Sequence, residues 1–207
     1  MNRVLPNEIL AESFRIIDAE VGAHPFGPLE WPIVRRMIHA SGDLELIHLV
    51  HFSAEAVAAG IAALQEGVPL VTDVRMVAAG IQGPLREALG VEMHCFLDTA
   101  DETNRTEMTR CARAMRHAVE SLPKAIYVVG NAPTALSVLC AAVRTGTARP
   151  RLVIAMPVGF VGVVESKEEA LALPIPVIAV RGRRGGSAVA AAAVNALLLL
   201  AQEGRRP

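Results

Sequence analysis

The sequence predicts a three-layer α/β/α fold around a mainly parallel, five-stranded sheet. Three observations carry this. Five short runs rich in β-branched residues, at 69–72, 91–97, 125–129, 152–156 and 176–180, alternate with helix-like segments. That alternation calls for parallel strands joined by right-handed crossovers. Apolar residues make up 52% of the chain but aromatic ones only 3%, so the core must be built from Ala, Val, Leu and Ile, which suits helices on both faces of a parallel sheet. Finally, 207 residues without a composition break or internal repeat fit one domain over 1–207, with loose ends at 1–5 and 204–207.

In chain order, apolar residues at helical spacing (Ile9, Leu10, Phe14, Ile17, Val21) predict a helix over 7–21. Residues 22–31 are a Gly- and Pro-rich loop. Pro32 suits the first turn of the next helix, which Gly42 should close. Residues 46–52 are ambiguous between a short strand and a buried connection. Ser53 has the chemistry of an N-cap for an Ala-rich helix ending at Gly67. The five strands follow. The second is succeeded by a polar, Arg-bearing helix over about 101–121, the fourth by a helix over roughly 166–173, and the fifth by the long C-terminal helix. The apolar run from Ala188 to Ala201 is interrupted by Asn195 and is shorter than the roughly 20 residues of a membrane span, so it reads as a buried helix.

Composition narrows the function. A net charge of −1 gives no electrostatic support to a nucleic-acid or membrane-surface role. Cys95, Cys111 and Cys140 lie far apart without a CxxC, which points to a reducing, cytoplasmic setting rather than a disulfide framework. The N-terminus has no basic start followed by an apolar run, so no signal peptide is expected. There is no GxSxG, no Walker loop and no GxGxxG after the first strand. His48 and His51 form an HxxH, but no third ligand is set by local spacing, so no metal is expected. Cys95, in a predicted buried strand, is a poor nucleophile. Of 20 basic residues only Lys124 and Lys167 are lysines. Guanidinium forks carboxylates and phosphates bidentately, which suits an anionic ligand, although genomic codon bias also produces an Arg- and Ala-rich chain.

The chemistry is expected beyond the carboxyl ends of the strands, where open α/β sheets bind ligands. Thr72-Asp73-Val-Arg75, Gly130-Asn131-Ala-Pro-Thr134, Pro157-Val-Gly-Phe160 and Arg181-Gly-Arg183-Arg-Gly185-Gly186-Ser187 lie there. Small residues next to a helix start admit a ligand close to the backbone and offer N–H groups to anions, or else simply permit tight packing. His39 sits near the end of its helix, three residues after Arg36 and on the same face. It is either a C-terminal helix cap or an acid catalyst beside an anion clamp.

In that order, the Arg36-Met-Ile-His-Ala-Ser-Gly42 segment, Thr72 to Ile81, Gly130-Asn-Ala-Pro-Thr-Ala-Leu136, Pro157 to Gly162 with Glu165-Ser-Lys167, and Arg181 to Ser187 resemble the precorrin-8X methylmutases of vitamin B12 biosynthesis, the cobalt-precorrin-8 methylmutases included. The likeness runs from about residue 12 to residue 198. It implies a cytoplasmic, homodimeric enzyme with a flavodoxin-like fold. The implied reaction moves a methyl group from C-11 to C-12 of the tetrapyrrole, giving hydrogenobyrinic acid or its cobalt counterpart cobyrinic acid. No cofactor is implied, because the shift is intramolecular. The family's catalytic histidine matches His39, its substrate-contacting Ser and Arg match Ser13 and Arg36, and its Thr-Arg pair matches Thr109-Arg110. Asp73, Asn131, Thr134, Arg183, Gly185, Gly186 and Ser187 are the strand-end candidates for substrate binding. The chain departs from the family at Asp18, where members commonly carry a basic residue, and between Leu97 and Thr109, which is shorter and more polar. The competing readings are a non-catalytic corrinoid carrier, which would bind without turnover, and a generic nucleotide binder. Hand-off of product to the next pathway enzyme is a further expectation.

Overall fold

The computed structural model describes residues 6–98 and 108–205. In chain order these form α1 (Pro6–Val21), α2 (Trp31–Ser41), α3 (Leu46–Leu49), β1 (Val50–Phe52), α4 (Ala56–Gln65), β2 (Leu70–Thr72), α5 (Arg75–Gly80), α6 (Gly83–Ala88) and β3 (Met93–His94). A 3-10 turn at Phe96–Asp98 follows, then α7 (Arg110–Ser121), β4 (Ile126–Val129), α8 (Pro133–Arg144), β5 (Leu152–Ala155), α9 (Val163–Leu171), β6 (Val177–Val180) and α10 (Ser187–Glu203).

The six strands lie in the order β1-β6-β5-β4-β2-β3. The five expected strands are all parallel, and their order is the flavodoxin-like one. The sixth comes from the ambiguous segment 46–52, which divides into one helical turn and a short edge strand, with β1 antiparallel to β6 and Val50 opposite Val180. Strand side chains alternate between two cores. Ile126 and Val128 face α2, α4 and α10, whereas Tyr127 and Val129 face α7, α8 and α9. Both layers are dominated by Ala, Val, Leu and Ile, as the low aromatic content requires.

Several expectations are corrected. Ser53 does not cap α4. Its hydroxyl accepts the Val177 N–H at 2.8 Å while its own N–H donates to the Val177 carbonyl at 2.9 Å, so it extends the β1–β6 pairing. Glu55, at φ 59°, precedes the helix instead. The strand expected over 91–97 shrinks to Met93–His94, which leaves Cys95 half-buried rather than in a buried strand. The helix expected from about 101 begins at Arg110, and residues 101–107 lie outside the described residues. Gly204 and Arg205 continue the last turn of α10, their N–H groups bonding back to Leu200 and Gln202 and the Arg205 side chain reaching the Gln65 carbonyl; residues 206–207 lie outside the described residues. No helix among the described residues is long and apolar enough to cross a membrane.

Asn195, which interrupts the apolar run of α10, has a purpose. It is buried, donating to the Gly80 carbonyl and accepting the Gln82 N–H, both at 2.8 Å. The turn between α5 and α6 is thereby pinned to α10. Gly80 permits this approach, because a Cβ there would meet the Ala191 Cβ at 2.7 Å.

Candidate active site

Helix α2 ends as its sequence predicts, with Gly42 at φ 66° and its N–H donated to the Ile38 carbonyl. This left-handed cap leaves His39 in the last helical turn, exposed. His39 does not itself cap the helix with a hydrogen bond, and neither of its ring nitrogens has a partner among the described residues. It borders two clefts. The first, about 270 Å³, lies against α1 and is lined by Ser13, Ile17, Glu20 and Gly42. The second, about 260 Å³, lies against α10 and is lined by Arg36, Gly80, Ala188, Ala191 and Asn195. The small side chains of α10 are what leave this space open.

Arg36 is half-buried and makes no ion pair or hydrogen bond among the described residues. Burial lowers its pKa, yet a guanidinium keeps its charge. A partly desolvated cation without a counter-ion is a site prepared for an anion. Ser13 completes the group. Its hydroxyl donates to the Ile9 carbonyl at 2.8 Å, leaving the oxygen's lone pairs free to accept.

The strand-end loops divide into two kinds. Asp73 is buried at 3% exposure, and its carboxylate accepts the N–H groups of Gly130 (3.0 Å), Asn131 (2.9 Å) and Ala132 (2.7 Å). Burial pushes its pKa up, against the opposing pull of these N–H groups. The protein's own carboxylate therefore occupies the amino end of α8, where free N–H groups for a ligand were expected. Asp73 is placed to shape this turn, with Asn131 and Thr134 exposed on its outer side. Thr109 caps α7 by accepting the Ala112 N–H at 3.2 Å, and its hydroxyl lies 2.7 Å from that of Thr134. Arg110 bonds the Leu97 carbonyl at 3.1 Å and lies 3.7 Å from Asp98, which also pairs with Arg75.

The loop from Arg181 to Ser187 is held differently. The Arg181 N–H donates to the Leu49 carbonyl at 2.8 Å, extending the β1–β6 ladder. Gly185, at φ 145°, is required by packing, because a Cβ would stand 2.4 Å from the Met156 carbonyl oxygen. Gly186, at φ 114°, gives its N–H to that same carbonyl at 2.8 Å. Arg184 pairs with Asp43, at 3.1 Å, and so ties the loop to the turn that follows His39. Arg183 lies over the exposed ring of Phe160 at 5.3 Å. Beyond it, the N–H groups of Ser187, Ala188 and Val189 find no acceptor among the described residues. The amino end of α10, with Ala188 exposed and Ser187 and Val189 buried, thus keeps N–H groups of the kind that suit an anion.

Gly130 links the two sides. A Cβ there would meet Ser187 Cα and Ala190 Cβ, both at 3.0 Å, so the turn carrying Asn131 and Thr134 abuts the first turn of α10. Ala188 and Ala191, on the same helix, line the His39 cleft. Thr109, Arg110, Asn131 and Thr134 do not line either cleft beside His39. They form a separate polar group across the start of α10.

Lys167, present in one of the ordered motifs, has a structural role that the motif alone does not disclose. It has no exposed surface, and its Nζ donates to the carbonyls of Gly182 (2.9 Å) and Arg184 (2.6 Å). Burial lowers its pKa to about 8. It fastens the loop that carries Arg183 and Arg184. The sequence signal was present in its rarity, as one of two lysines, but nothing local reveals that its acceptors lie fifteen and seventeen residues ahead. No cluster of three or more His, Cys, Asp or Glu placed to hold a metal occurs among the described residues.

Comparison with known proteins agrees over nearly the whole chain. The family model described as precorrin-8X methylmutase matches residues 8–200. A cobalt-precorrin-8 methylmutase of Synechocystis sp. is 42% identical, covering 95% of this chain and 97% of its own length. A precorrin-8X methylmutase of Pseudomonas aeruginosa is also 42% identical, covering 91% and 93%. Among solved structures, a precorrin-8x methyl mutase from Thermus thermophilus superimposes with a TM-score of 0.88 at 46% identity, over 95% of this chain and 98% of that one. With the ordered motifs and the flavodoxin-like sheet, these matches place the chain in the precorrin-8X methylmutase family.

Proposed function

We propose that this protein is an isomerase of cobalamin biosynthesis that moves a methyl group from C-11 to C-12 of precorrin-8X, or of cobalt-precorrin-8, with His39 as general acid. The bond from C-11 to the methyl carbon breaks as that from C-12 forms, so the product, hydrogenobyrinic or cobyrinic acid, has the same atoms as the substrate. The protein needs only to hold the macrocycle in one orientation and favour the protonated or hydrogen-bonded form that rearranges. What carries this reading is the juxtaposition of His39 and the half-buried cation Arg36, neither with a hydrogen-bond or ion-pair partner among the described residues, beside the amino end of α10. An imidazole is the side chain whose ordinary pKa suits proton transfer near neutrality. Arg36 and the α10 N–H groups suit carboxylates at the ring's edge.

The substrate's flat face is apolar; α5 exposes Met76, and the loop after β5 exposes Val158, Phe160 and Val161, the last two at 81% and 88%. They supply the apolar counterpart to the charged groups. Ser13, Thr109, Arg110, Asn131, Thr134 and Arg183 contact the substrate's polar rim. Asp73, Gly185 and Gly186 contribute by shaping the turns, and Ser187 by its backbone N–H.

The direct test is turnover of purified precorrin-8X and cobalt-precorrin-8 in parallel, followed by absorption. Conversion of either supports the isomerase and identifies the natural form. Stoichiometric binding without conversion of either supports a carrier instead. The enzyme acts in the cytoplasm, consistent with three free cysteines, and as a homodimer, for which the exposed Ile9 and Ile16 of α1 offer apolar surface. Light scattering on the eluting protein gives a dimer mass if so and a monomer mass if not. The loops that hold the substrate's carboxylates hold the product's equally, which favours transfer to the next pathway enzyme over release. A product off-rate accelerated by that enzyme would support this.

A further inference from the structure

Among the described residues His39 has no carbonyl or carboxylate partner of the kind that commonly fixes a catalytic imidazole. Its orientation is set by packing. The Phe14 ring lies 5.7 Å from the imidazole, centroid to centroid, at 82°, an edge-to-face geometry favoured by the aromatic quadrupole. Phe14 is itself clamped, with the Arg35 guanidinium 4.4 Å from its ring centroid, within cation–π range. Arg35 is in turn held by Asp18 at 2.8 Å, and Asp18 accepts the indole N–H of Trp31 at 3.1 Å.

The spacing makes this one object. On α1, Phe14 and Asp18 are four residues apart, and on α2, Trp31, Arg35 and His39 are spaced by four and four. Residues at that spacing share a helix face. The two helices therefore meet through an alternating ladder, Trp31, Asp18, Arg35, Phe14, His39, in which each rung touches the next. Arg35 Nε is buried without a hydrogen-bond partner, so the guanidinium is placed where it can reach Asp18 and the Phe14 ring rather than where all its own donors are satisfied.

We propose that Phe14, clamped by the Asp18–Arg35 pair, is the positioning residue for His39, holding the imidazole by its ring so that both nitrogens stay free for substrate. This rests on His39 being the acid. A hydrogen-bonded partner would occupy one nitrogen and fix the tautomer. An aromatic contact orients the ring plane and leaves both nitrogens available.

The test compares Phe14→Leu, which keeps an apolar side chain, with Phe14→Tyr, which keeps the ring. Steady-state kinetics with precorrin-8X are read beside the His39 carbon-bound proton resonances. Those resonances carry the ring-current shift of Phe14 and are assigned by their loss in His39→Ala. Phe14→Leu is expected to lower kcat about tenfold with KM within twofold and to move the His39 resonances, whereas Phe14→Tyr restores both. Arg35→Met, which removes the clamp's charge, is expected to lower kcat about threefold with a smaller resonance shift. Wild-type kcat in Phe14→Leu, or a lowered kcat with unmoved His39 resonances, overturns the positioning role. The two levels separate cleanly. Wild-type turnover in His39→Ala overturns the acid assignment, whereas an inactive His39→Ala beside a fully active Phe14→Leu overturns the ladder alone.

Discussion

The amino ends of α8 and α10 are built alike and used differently. Each follows a buried parallel strand through a turn of small residues, and they touch at Gly130 and Ser187. At α8 the protein's own Asp73 takes up three N–H groups. At α10 the corresponding groups, on Ser187 to Val189, have no acceptor among the described residues, and Arg36 and His39 beside them have no hydrogen-bond or ion-pair partner there either. Burying a polar group without a partner costs about 1–3 kcal/mol, so unsatisfied groups persist where something else satisfies them. The difference teaches which groups shape the site and which meet the ligand. The α8 turn is internally complete, and the α10 side is the one that the proposed function assigns to the substrate.

Each half of that contrast can be broken. Removing the internal anion should act on stability. Asp73→Ala leaves three N–H groups without their acceptor and is expected to lose about 3 kcal/mol, or roughly 6–12 °C of Tm at this size, in a thermal melt. A melt unchanged within 2 °C would mean the turn does not depend on Asp73. Removing the unpaired cation should act on the substrate. Arg36→Met is expected to lower kcat/KM about 10- to 100-fold, the loss of one charge-assisted contact, with Tm unchanged or slightly higher because a desolvated charge is gone. A falling Tm with normal kinetics would reverse the assignment.

The smallest of these effects concerns Lys167, which fastens the loop between the two regions. Its folded-state pKa is about 8, below the ordinary lysine value of about 10.5. Between those limits the unfolded chain holds the proton that the folded one has released, so Lys167's contribution to stability increases as pH rises. The difference in unfolding free energy, wild type minus Lys167→Met, should become more favourable to wild type by about 1 kcal/mol between pH 8 and pH 9, because the folded group is still half-protonated at pH 8. Denaturant melts at the two pH values measure it, and a flat or falling difference would show that the ammonium is not desolvated.

Much of this was legible in the sequence because it depends on local chemistry. The β-branched runs located all five parallel strands, Gly42 announced the end of α2, and the spacing of Arg36 and His39 put them on one face. What was not legible depends on distant partners. Ser53 has the chemistry of a helix cap, yet the unpaired Val177 N–H, 124 residues away, competes for its hydroxyl and wins. Asp73 looked like a ligand contact because an exposed and an internally satisfied carboxylate read the same in one dimension. Gly185 looked like room for a ligand, and the room is filled by the Met156 carbonyl. The departure at Asp18 is accounted for by Arg35 and Trp31, which it holds together.

The central claim is that His39, unpartnered among the described residues, supplies the proton while internally satisfied groups such as Asp73 supply the shape of the site. A single-turnover reaction of His39→Ala with precorrin-8X, followed by absorption, tests it most directly. His39 is exposed and makes no hydrogen bond among the described residues, so the variant should fold, melt within about 2 °C of wild type and bind the tetrapyrrole within a few-fold of its affinity. It should convert the bound substrate at least ~100-fold more slowly. Conversion at the wild-type rate would contradict the account.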